Sequence, residues 1–399
     1  MIEFQGNLLY LLLNELEMQI NRPQFETEVR ESLSYNPVTA ILGPRQCGKT
    51  TLARSISETI KSTLFDLEDP ADFELLKSNP KQIFNGLEGL VIIDEIQRLP
   101  ELFPLLRVLA DEADSKRKYL ILGSASPDLI RNSSESLAGR IGFINLTGFR
   151  LNEVGTENLR NLWLRGGFPR SYLAQNENQS FMWRNDFIQT FLERDISMYG
   201  FNIPPVTLRR FWQMLAHYHG QVWNGAEFAR AMGVSEPTVK RYLDILTGTY
   251  MIRQLQPWYE NLKKRQVKAP KVYIRDSGIL HTLLTLEDDK IITHVKVGAS
   301  WEGFVTEQLI QVLNTRDYYF WRTHTGAELD LMVVKNGKKL GFEIKYSDVP
   351  KITRSMNSVI EDLNLDKLFL IYQGKRKLQL QEKIYALPAD EIFTNNFGE

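Results

Sequence analysis

The sequence predicts an α/β fold class, with a parallel-sheet domain, a helical module carrying a strand pair, and a second α/β domain. Three observations support this prediction. Short apolar runs alternate with helical or polar stretches through the first 150 residues, a helix–glycine–helix pattern covers residues 227–243, and period-two alternation runs from Glu328 to Lys345. The expected domains are residues 21–155, 156–285 and 286–399.

The composition limits the class of protein. A chain of 399 residues is long enough for two or three domains, each with its own core. Hydrophobic content of 43%, charged content of 24% and a net charge of -1 indicate an ordinary soluble globular protein, so any nucleic-acid contact must come from a local basic patch. The single cysteine excludes an internal disulfide framework and suits a cytoplasmic location. The apolar run Leu8 to Leu13 is too short to span a bilayer, so we expect no signal peptide and no membrane anchor.

The stretch from Gly43 to Thr50 matches the phosphate-binding P-loop pattern, and it follows the apolar run Val38 to Leu42. A glycine-punctuated turn into a helix aims backbone N–H groups at phosphate oxygens, and the helix N-terminus favours negative charge. We expect Lys49 to reach the β- and γ-phosphates and Thr50 to ligate Mg²⁺. No guanine-reading Asn/Thr-Lys-x-Asp sequence is present, so ATP is the expected nucleotide. The residues expected to line the site are Gly43, Pro44, Arg45, Gln46, Cys47, Gly48, Lys49, Thr50 and Thr51.

Cys47 lies inside this loop. An oxidised or alkylated thiol there could block nucleotide binding, but intervening P-loop positions usually contribute only their backbone, and we favour that interpretation.

A second element turns the loop into a candidate catalytic site. The segment from Leu90 to Ile96 resembles a buried parallel strand whose apolar run ends in two carboxylates, Asp94 and Glu95. We expect Asp94 to hold the Mg²⁺ and Glu95 to polarise the attacking water. Ser124, after the fourth apolar run, would lie at a strand tip near the γ-phosphate, although an ordinary Gly-Ser turn explains it equally well. The five predicted strands are Val38–Leu42, Thr63–Leu67, Leu90–Asp94, Tyr119–Gly123 and Gly142–Leu146.

The helix–glycine–helix pattern, with Ser235 as the cap of its second helix, indicates a helix-turn-helix. Two strands, Met251–Leu255 and Lys271–Ile274, follow it and complete a winged-helix layout. Such modules bind nucleic acid or serve as protein-protein modules, and both alternatives remain open. The cations expected to contact DNA or RNA are Lys240, Arg241, Lys263, Lys264 and Arg265.

The segment from Glu328 to Lys345 predicts a hairpin around Asn336-Gly337. Counting back from this turn pairs Lys335 with Lys338 and places Asp330 opposite Glu343. One face would be buried and apolar, and the other would carry both carboxylates, followed by Lys345. This face could hold Mg²⁺, or it could be a solvated surface with balanced charges. The residues expected on the apolar face are Leu329, Leu331, Val333, Leu340, Phe342 and Ile344.

The P-loop, Asp94-Glu95, Gly123-Ser124 and the segment Leu137 to Arg140 together resemble the bacterial and archaeal AAA-like ATPases of the AAA_14 type. The resemblance extends through Gly166 to Pro169 and the hairpin, and covers nearly the whole chain. It implies that Lys49 and Thr50 bind nucleotide and Mg²⁺, that Asp94 and Glu95 form the Walker B pair, that Ser124 is a sensor, and that Arg140 is an arginine finger. A structural salt bridge is the alternative role for Arg140.

The hairpin also resembles the core of PD-(D/E)XK nucleases. Asp330, Glu343 and Lys345 match the aspartate and E-x-K positions, and Glu302 matches the upstream helical glutamate. Asp330 follows Leu329, so the proline-aspartate dipeptide of that family is absent, and the domain could be a nuclease fold retained for binding only.

These features favour an ATPase that couples hydrolysis to action on nucleic acid, with ATP and Mg²⁺ as cofactors and a homo-oligomer as a possible assembly. One alternative is a nucleotide-dependent switch that binds a protein partner. Another is an ATP-regulated, Mg²⁺-dependent nuclease.

Overall fold

The computed structural model describes residues 20–112, 117–124, 136–198, 201–259, 267–287, 289–324 and 326–397. It divides into two compact units, the first ending at Thr147 and the second beginning at Gly148. No helix in these ranges is both long and apolar enough to cross a bilayer.

The first unit is built on a five-stranded sheet, and all five predicted strands are present in it. The strands are parallel and lie in the order β2-β3-β4-β1-β5. Their bounds are β1 Val38–Gly43, β2 Ser62–Asp66, β3 Gly89–Asp94, β4 Arg117–Ser124 and β5 Ile141–Asn145. The helices of this unit are α1 Pro23–Tyr35, α2 Lys49–Ser57, α3 Pro70–Ser78, α4 Pro80–Asn85 and α5 Leu102–Ala110.

The hydrophobic pattern explains why this sheet forms. Strand β1 is buried along its whole length, and β3 is buried from Leu90 to Asp94, as expected for central parallel strands covered on both faces. Helix α2 buries Leu52, Ala53 and Ile56, which recur at helical spacing. The carboxyl ends of β1, β3 and β4 therefore meet at one edge of the sheet, where parallel α/β sheets place ligands.

The second unit begins with a helical region and a small antiparallel sheet in the order β6-β8-β7. The strands are β6 Gln221–Val222, β7 Ile252–Leu255 and β8 Lys271–Ile274, and β6 was not predicted. The helices are α6 Leu151–Val154, α7 Leu159–Arg165, α8 Pro169–Tyr172, α9 Glu177–Thr190, α10 Ile196–Met198, α11 Pro205–His217, α12 Gly225–Met232, α13 Glu236–Gly248 and α14 Ser277–Leu283, with a π-helical turn at Phe191–Asp195.

Helices α12 and α13 are the predicted helix pair. Gly233 ends α12 in the left-handed region with φ 70°, which glycine adopts without strain. The hydroxyl of Ser235 accepts a hydrogen bond from the backbone N–H of Thr238, as expected for a helix N-cap. The local turn chemistry of the sequence is therefore sufficient to form this helix pair.

The turn at Gly166-Gly167 is fixed by Asp276. The carboxylate of Asp276 accepts from the N–H of Gly167 at 2.8 Å and from that of Ile279 at 2.9 Å, so it caps α14 and holds the turn. Gly166 has φ 77°, and a Cβ there would lie 2.1 Å from Asp276 Oδ1. Only glycine suits this position.

The C-terminal part of the second unit carries a mixed sheet in the order β13-β14-β12-β11-β10-β9. The predicted hairpin is present, with Lys335 paired to Lys338 and Leu331 to Phe342. The strands of the mixed sheet are β9 Tyr318–Arg322, β10 Glu328–Lys335, β11 Lys338–Ile344, β12 Lys367–Tyr372, β13 Leu378–Gln379 and β14 Ile384–Pro388, and β10 and β11 form the hairpin. The helices of this part are α15 Val297–Leu313 and α16 Arg354–Leu363.

The predicted alternation of the hairpin is wrong at Leu329. This side chain packs in one core cluster with Met332, which was expected on the opposite face. The register between β10 and β9 shifts between these two residues, and such a β-bulge reorients side chains.

Candidate nucleotide-binding site and C-terminal carboxylate cluster

The P-loop connects β1 to α2 through two left-handed residues, Gln46 with φ 60° and Gly48 with φ 96°. Gly43 lies so close to the backbone that follows β5 that a Cβ at this position would lie 2.1 Å from the carbonyl oxygen of Leu146. The glycines of the motif therefore have separate physical tasks. Gly43 permits close backbone packing, and Gly48 permits the turn into the helix.

Lys49 lies in the first turn of α2 and is buried, with 5% of its surface exposed. Its ammonium donates to the carbonyl oxygens of Pro44 at 2.9 Å and Gly43 at 3.3 Å. The charge thus lies in the cradle formed by the loop, where phosphate oxygens would replace these carbonyl partners.

Thr50 and Asp94 meet although they are 44 positions apart in sequence. The Thr50 hydroxyl donates to Asp94 Oδ2 at 2.5 Å, and the N–H of Glu95 donates to Asp94 Oδ1 at 2.9 Å. Burial raises the pKa of Asp94 even though these donors and Lys49 oppose the shift. A hydroxyl and a carboxylate at the mouth of a P-loop are the oxygen ligands that Mg²⁺ prefers, so the donor set suits this ion.

Glu95 follows β3 with φ 53°, a left-handed conformation that is uncommon for glutamate. Such strain concentrates at functional sites. Burial also raises the pKa of its carboxyl group, which makes the deprotonated carboxylate a stronger proton acceptor than an exposed glutamate.

Gln97 links the carboxyl end of β3 to the tip of β4. Its side-chain amide donates to Glu95 and, at 3.0 Å, to the hydroxyl of Ser124, which is buried. Its own oxygen, Gln97 Oε1, is buried and has no hydrogen-bond partner among the described residues. Gln97 therefore positions the carboxylate of Glu95 relative to Ser124.

Sequence reasoning missed both Gln97 and Arg22. Gln97 is a polar residue between Ile96 and Leu99, both buried, and this interruption was a detectable signal. The Arg22 guanidinium donates to the carbonyl oxygens of Cys47 at 3.2 Å and Thr147 at 3.0 Å. These hydrogen bonds tie the P-loop to the segment that follows β5. The distance of Arg22 from the motif in sequence gave no signal.

Three further predicted residues have other surroundings. The thiol of Cys47 is buried in the core of the first unit, and burial raises its pKa, so its side chain contributes packing as well as backbone. Arg45 pairs with Glu68 at 2.6 Å. Thr51 is exposed in the first turn of α2.

Arg140 forms a two-pronged ion pair with Asp111 of the same chain, at 2.5 Å and 2.8 Å. The hydrogen bond from Arg140 lowers the pKa of Asp111. The predicted arginine-finger role therefore requires this pair to open.

In the second unit the structure brings together Glu302, Asp330, Glu343 and Lys345. Lys345 contacts Glu343 at 2.7 Å and Asp330 at 3.9 Å. Asp330 and Glu343 are buried, with 5% and 7% exposure, so the alternative of a solvated outer face is wrong for these two carboxylates. The mixed sheet is covered on both sides at this point.

Two residues of β8 complete this cluster. The ammonium of Lys271 lies 2.5 Å from Glu328, 3.1 Å from Glu302 and 3.6 Å from Asp330. The hydroxyl of Tyr273 donates to Glu302 at 2.6 Å. Within the described ranges, no group of three or more His, Cys, Asp or Glu side chains is arranged to hold a metal ion.

Lys240 and Arg241 lie exposed on α13. Lys240 contacts Asp244 at 2.6 Å, and the Arg241 guanidinium lies 5.9 Å from the ring centroid of Phe201. The other predicted cations, Lys263, Lys264 and Arg265, lie outside the described residues.

The AAA_14 family model, described as an AAA domain, matches residues 35–155. Two domains of unknown function, DUF8612 and DUF4143, match residues 156–290 and 297–392. The N-terminal part of the chain is therefore an AAA-like P-loop ATPase domain.

Two relatives that match most of the chain show the particular family. The uncharacterized proteins Rv2008c of Mycobacterium tuberculosis and Mb2031c of Mycobacterium bovis are each 47% identical over 378 residues, covering 94% of this chain and 86% of the relative. The chain belongs to the same family as these two proteins. Among solved structures, the Walker-type ATPase PABY2304 of Pyrococcus abyssi superposes with a TM-score of 0.49 at 17% identity, over 67% of this chain and 96% of that one.

Proposed function

We propose that this chain binds ATP together with Mg²⁺ at the P-loop and hydrolyses it. The observation that carries the proposal is the hydrogen bond from Thr50 to Asp94, with Glu95 adjacent in a strained conformation. Thr50 of α2 and Asp94 of β3, which are expected to hold Mg²⁺, thus meet at the same edge of the sheet. Glu95, which is expected to activate water, lies next to them.

Each residue then has a definite task. Lys49 and the backbone N–H groups after Gly43 bind the phosphates. Thr50 and Asp94 would hold Mg²⁺, which neutralises charge on the phosphate oxygens when it is bound. Glu95 orients the attacking water and accepts its proton.

Gln97 and Ser124 complete the arrangement next to Glu95. Ser124, at the tip of β4, is the proposed sensor of the γ-phosphate. Because Gln97 contacts both Ser124 and Glu95, a phosphate that attracts the Ser124 hydroxyl would also release or reorient the Glu95 carboxylate.

We further propose that hydrolysis is coupled to action on nucleic acid through a winged-helix module. Helices α12 and α13 followed by β7 and β8 support this proposal, because in such modules the second helix presents its exposed side chains to DNA. Of the two exposed cations of α13, Lys240 is paired with Asp244, so Arg241 is the one that would contact phosphate.

A protein partner is the second candidate, and one contact favours it. Lys240 is already paired with Asp244, and Glu236 is exposed on the same helix, so these acids balance the two cations of α13. A charge-balanced helix face suits a protein surface better than a polyphosphate backbone.

The test is Mg²⁺-dependent ATP turnover with and without single- and double-stranded DNA and RNA, in wild type and Lys49→Ala. A turnover rate that Lys49→Ala does not lower would reject hydrolysis at this site. A Lys49-dependent rate that nucleic acid raises, and that added salt returns to the basal value, supports the coupling.

Arg241→Ala tests the proposed contact directly, with Arg209→Ala, an exposed arginine of α11, as the matched control. Loss of stimulation in Arg241→Ala alone supports nucleic-acid binding by α13. A Lys49-dependent rate indifferent to every polynucleotide would favour the protein-partner switch.

A further inference from the structure

The carboxylate cluster of the second unit already contains a cation that belongs to the chain. Lys271 is the middle-strand residue that pairs with both Val222 of β6 and Leu255 of β7. Its side chain is 2% exposed, and its ammonium lies within 3.6 Å of carboxylate oxygens of Glu302, Glu328 and Asp330.

The carboxylate oxygens of this cluster are largely occupied by protein donors. Asp330 Oδ1 faces Lys271, while Asp330 Oδ2 accepts from the N–H of Ile344 at 2.9 Å and lies 3.9 Å from Lys345. Glu302 Oε1 accepts from Lys271 and from the Tyr273 hydroxyl. A divalent ion would have to displace the Lys271 ammonium to reach these oxygens.

The charges of the cluster also balance closely without a metal. Glu302, Glu328, Asp330 and Glu343 face three cations, Lys271, Lys345 and Arg322, the last of which lies 3.5 Å from Glu328. Burial together with the nearby Asp330 raises the pKa of Glu343 to about 8, which further reduces the negative charge of the cluster.

The ammonium is held strongly. Burial acts to lower the pKa of Lys271, but the surrounding Glu302, Asp330 and Glu328 carboxylates and Tyr273 outweigh it and raise the pKa well above its ordinary value. The charged form therefore persists at neutral pH, as expected for a buried cation whose carboxylate partners are held in place by helix α15 and strand β10.

We infer that Lys271 is the resident cation of this cluster and that it excludes divalent metal from Asp330 and Glu302. The C-terminal domain then keeps the residues of a nuclease-like site without the ion that such a site needs. The inference does not depend on ATP hydrolysis in the first unit.

The test measures Mn²⁺ binding to the full chain without nucleotide, with electron paramagnetic resonance as the method of detection. The variants are Lys271→Met, which removes the charge but keeps an unbranched side chain, and Lys271→Met combined with Asp330→Asn. Lys268→Met, at an exposed lysine preceding the same strand, is the matched control. We expect Lys271→Met to bind Mn²⁺ about tenfold or more tightly than wild type, and the double variant to lose this gain.

A folded Lys271→Met protein without additional Mn²⁺ binding would overturn the inference. Wild type and Asp330→Asn provide a second measurement that does not require Lys271→Met to fold. Equal Mn²⁺ binding by these two proteins supports exclusion, whereas one more Mn²⁺ bound by wild type than by Asp330→Asn contradicts it.

Discussion

The side-chain amide of Gln97 donates to the hydroxyl of Ser124 at 3.0 Å and to the carboxylate of Glu95, so it connects the ends of two adjacent strands of the first sheet. This contact lies between the residue proposed to activate water and the residue proposed to sense phosphate.

Gln97→Ala should retain ATP binding and lower the turnover rate about tenfold, because one hydrogen bond of about 1–1.5 kcal/mol no longer orients Glu95. Nucleotide affinity and single-turnover hydrolysis measure the two effects separately. Arg98→Ala, the exposed neighbour, is the control. Unchanged single-turnover hydrolysis in Gln97→Ala would show that the amide has no positioning role.

Thr50→Ala should reduce the factor by which Mg²⁺ tightens ATP binding by about tenfold or more. Even residues that only hydrogen-bond to a metal ligand typically change metal affinity by that much. The measurement is nucleotide affinity over a Mg²⁺ titration, with Ser57→Ala at the end of the same helix as the control. A Mg²⁺ titration indistinguishable from wild type would count against the assignment of Thr50.

The pH dependence of turnover should show an acid limb above the ordinary range of a glutamate. Burial raises the pKa of Glu95, and a proton acceptor works only when deprotonated, so the rate falls as pH falls through that raised pKa. The measurement is kcat against pH at saturating ATP. In Glu95→Gln we expect ATP binding without hydrolysis, and a residual rate with the same acid limb would assign the limb to another group.

Acid should destabilise the second unit through His281. This histidine is buried, its ring contacts the Leu164 carbonyl and the Ser300 hydroxyl, and burial lowers its pKa to about 3. Below pH 6.5 the unfolded chain takes up a proton that the folded chain does not, so the free energy of unfolding falls by up to about 1.4 kcal/mol per pH unit.

Denaturant unfolding at several pH values measures this slope. His281→Gln should give a flatter dependence between pH 6.5 and 4 than wild type. Parallel curves for the two proteins would mean that another group controls the acid transition.

Gly166→Ala should destabilise the second unit by about 1–3 kcal/mol, because it combines a left-handed backbone with a methyl group 2.1 Å from the Asp276 carboxylate. Gly298→Ala is the opposite case, since it lies in helix α15 with nothing within 4 Å of the added Cβ. We expect that control to be neutral or slightly stabilising. Similar unfolding midpoints for both variants would show that the contact between the added methyl group and Asp276 does not destabilise the second unit.

Local patterns predicted the five strands of the first sheet, the helix pair α12 and α13, the strands β7 and β8, and the hairpin of β10 and β11. Contacts between distant segments account for part of what was missed. The strand β1, the turn at Gly48 and the cap at Ser235 are all encoded by residues close to one another in sequence. Lys271 lies 31 positions before Glu302, and no periodicity links them. The predicted hairpin register was correct, but the bulge near Leu329 arises from pairing with β9, which the hairpin sequence does not contain.

The position of Lys271 also determines where this chain can be cut for expression. A fragment beginning at the predicted boundary of residue 286 would retain Glu302, Glu328 and Asp330 but lose the ammonium and the Tyr273 hydroxyl that satisfy them. Unpaired buried carboxylates are costly, so such a fragment should fold poorly. A fragment that begins at Gly148 keeps the carboxylates and Lys271 in one polypeptide and is the better truncation.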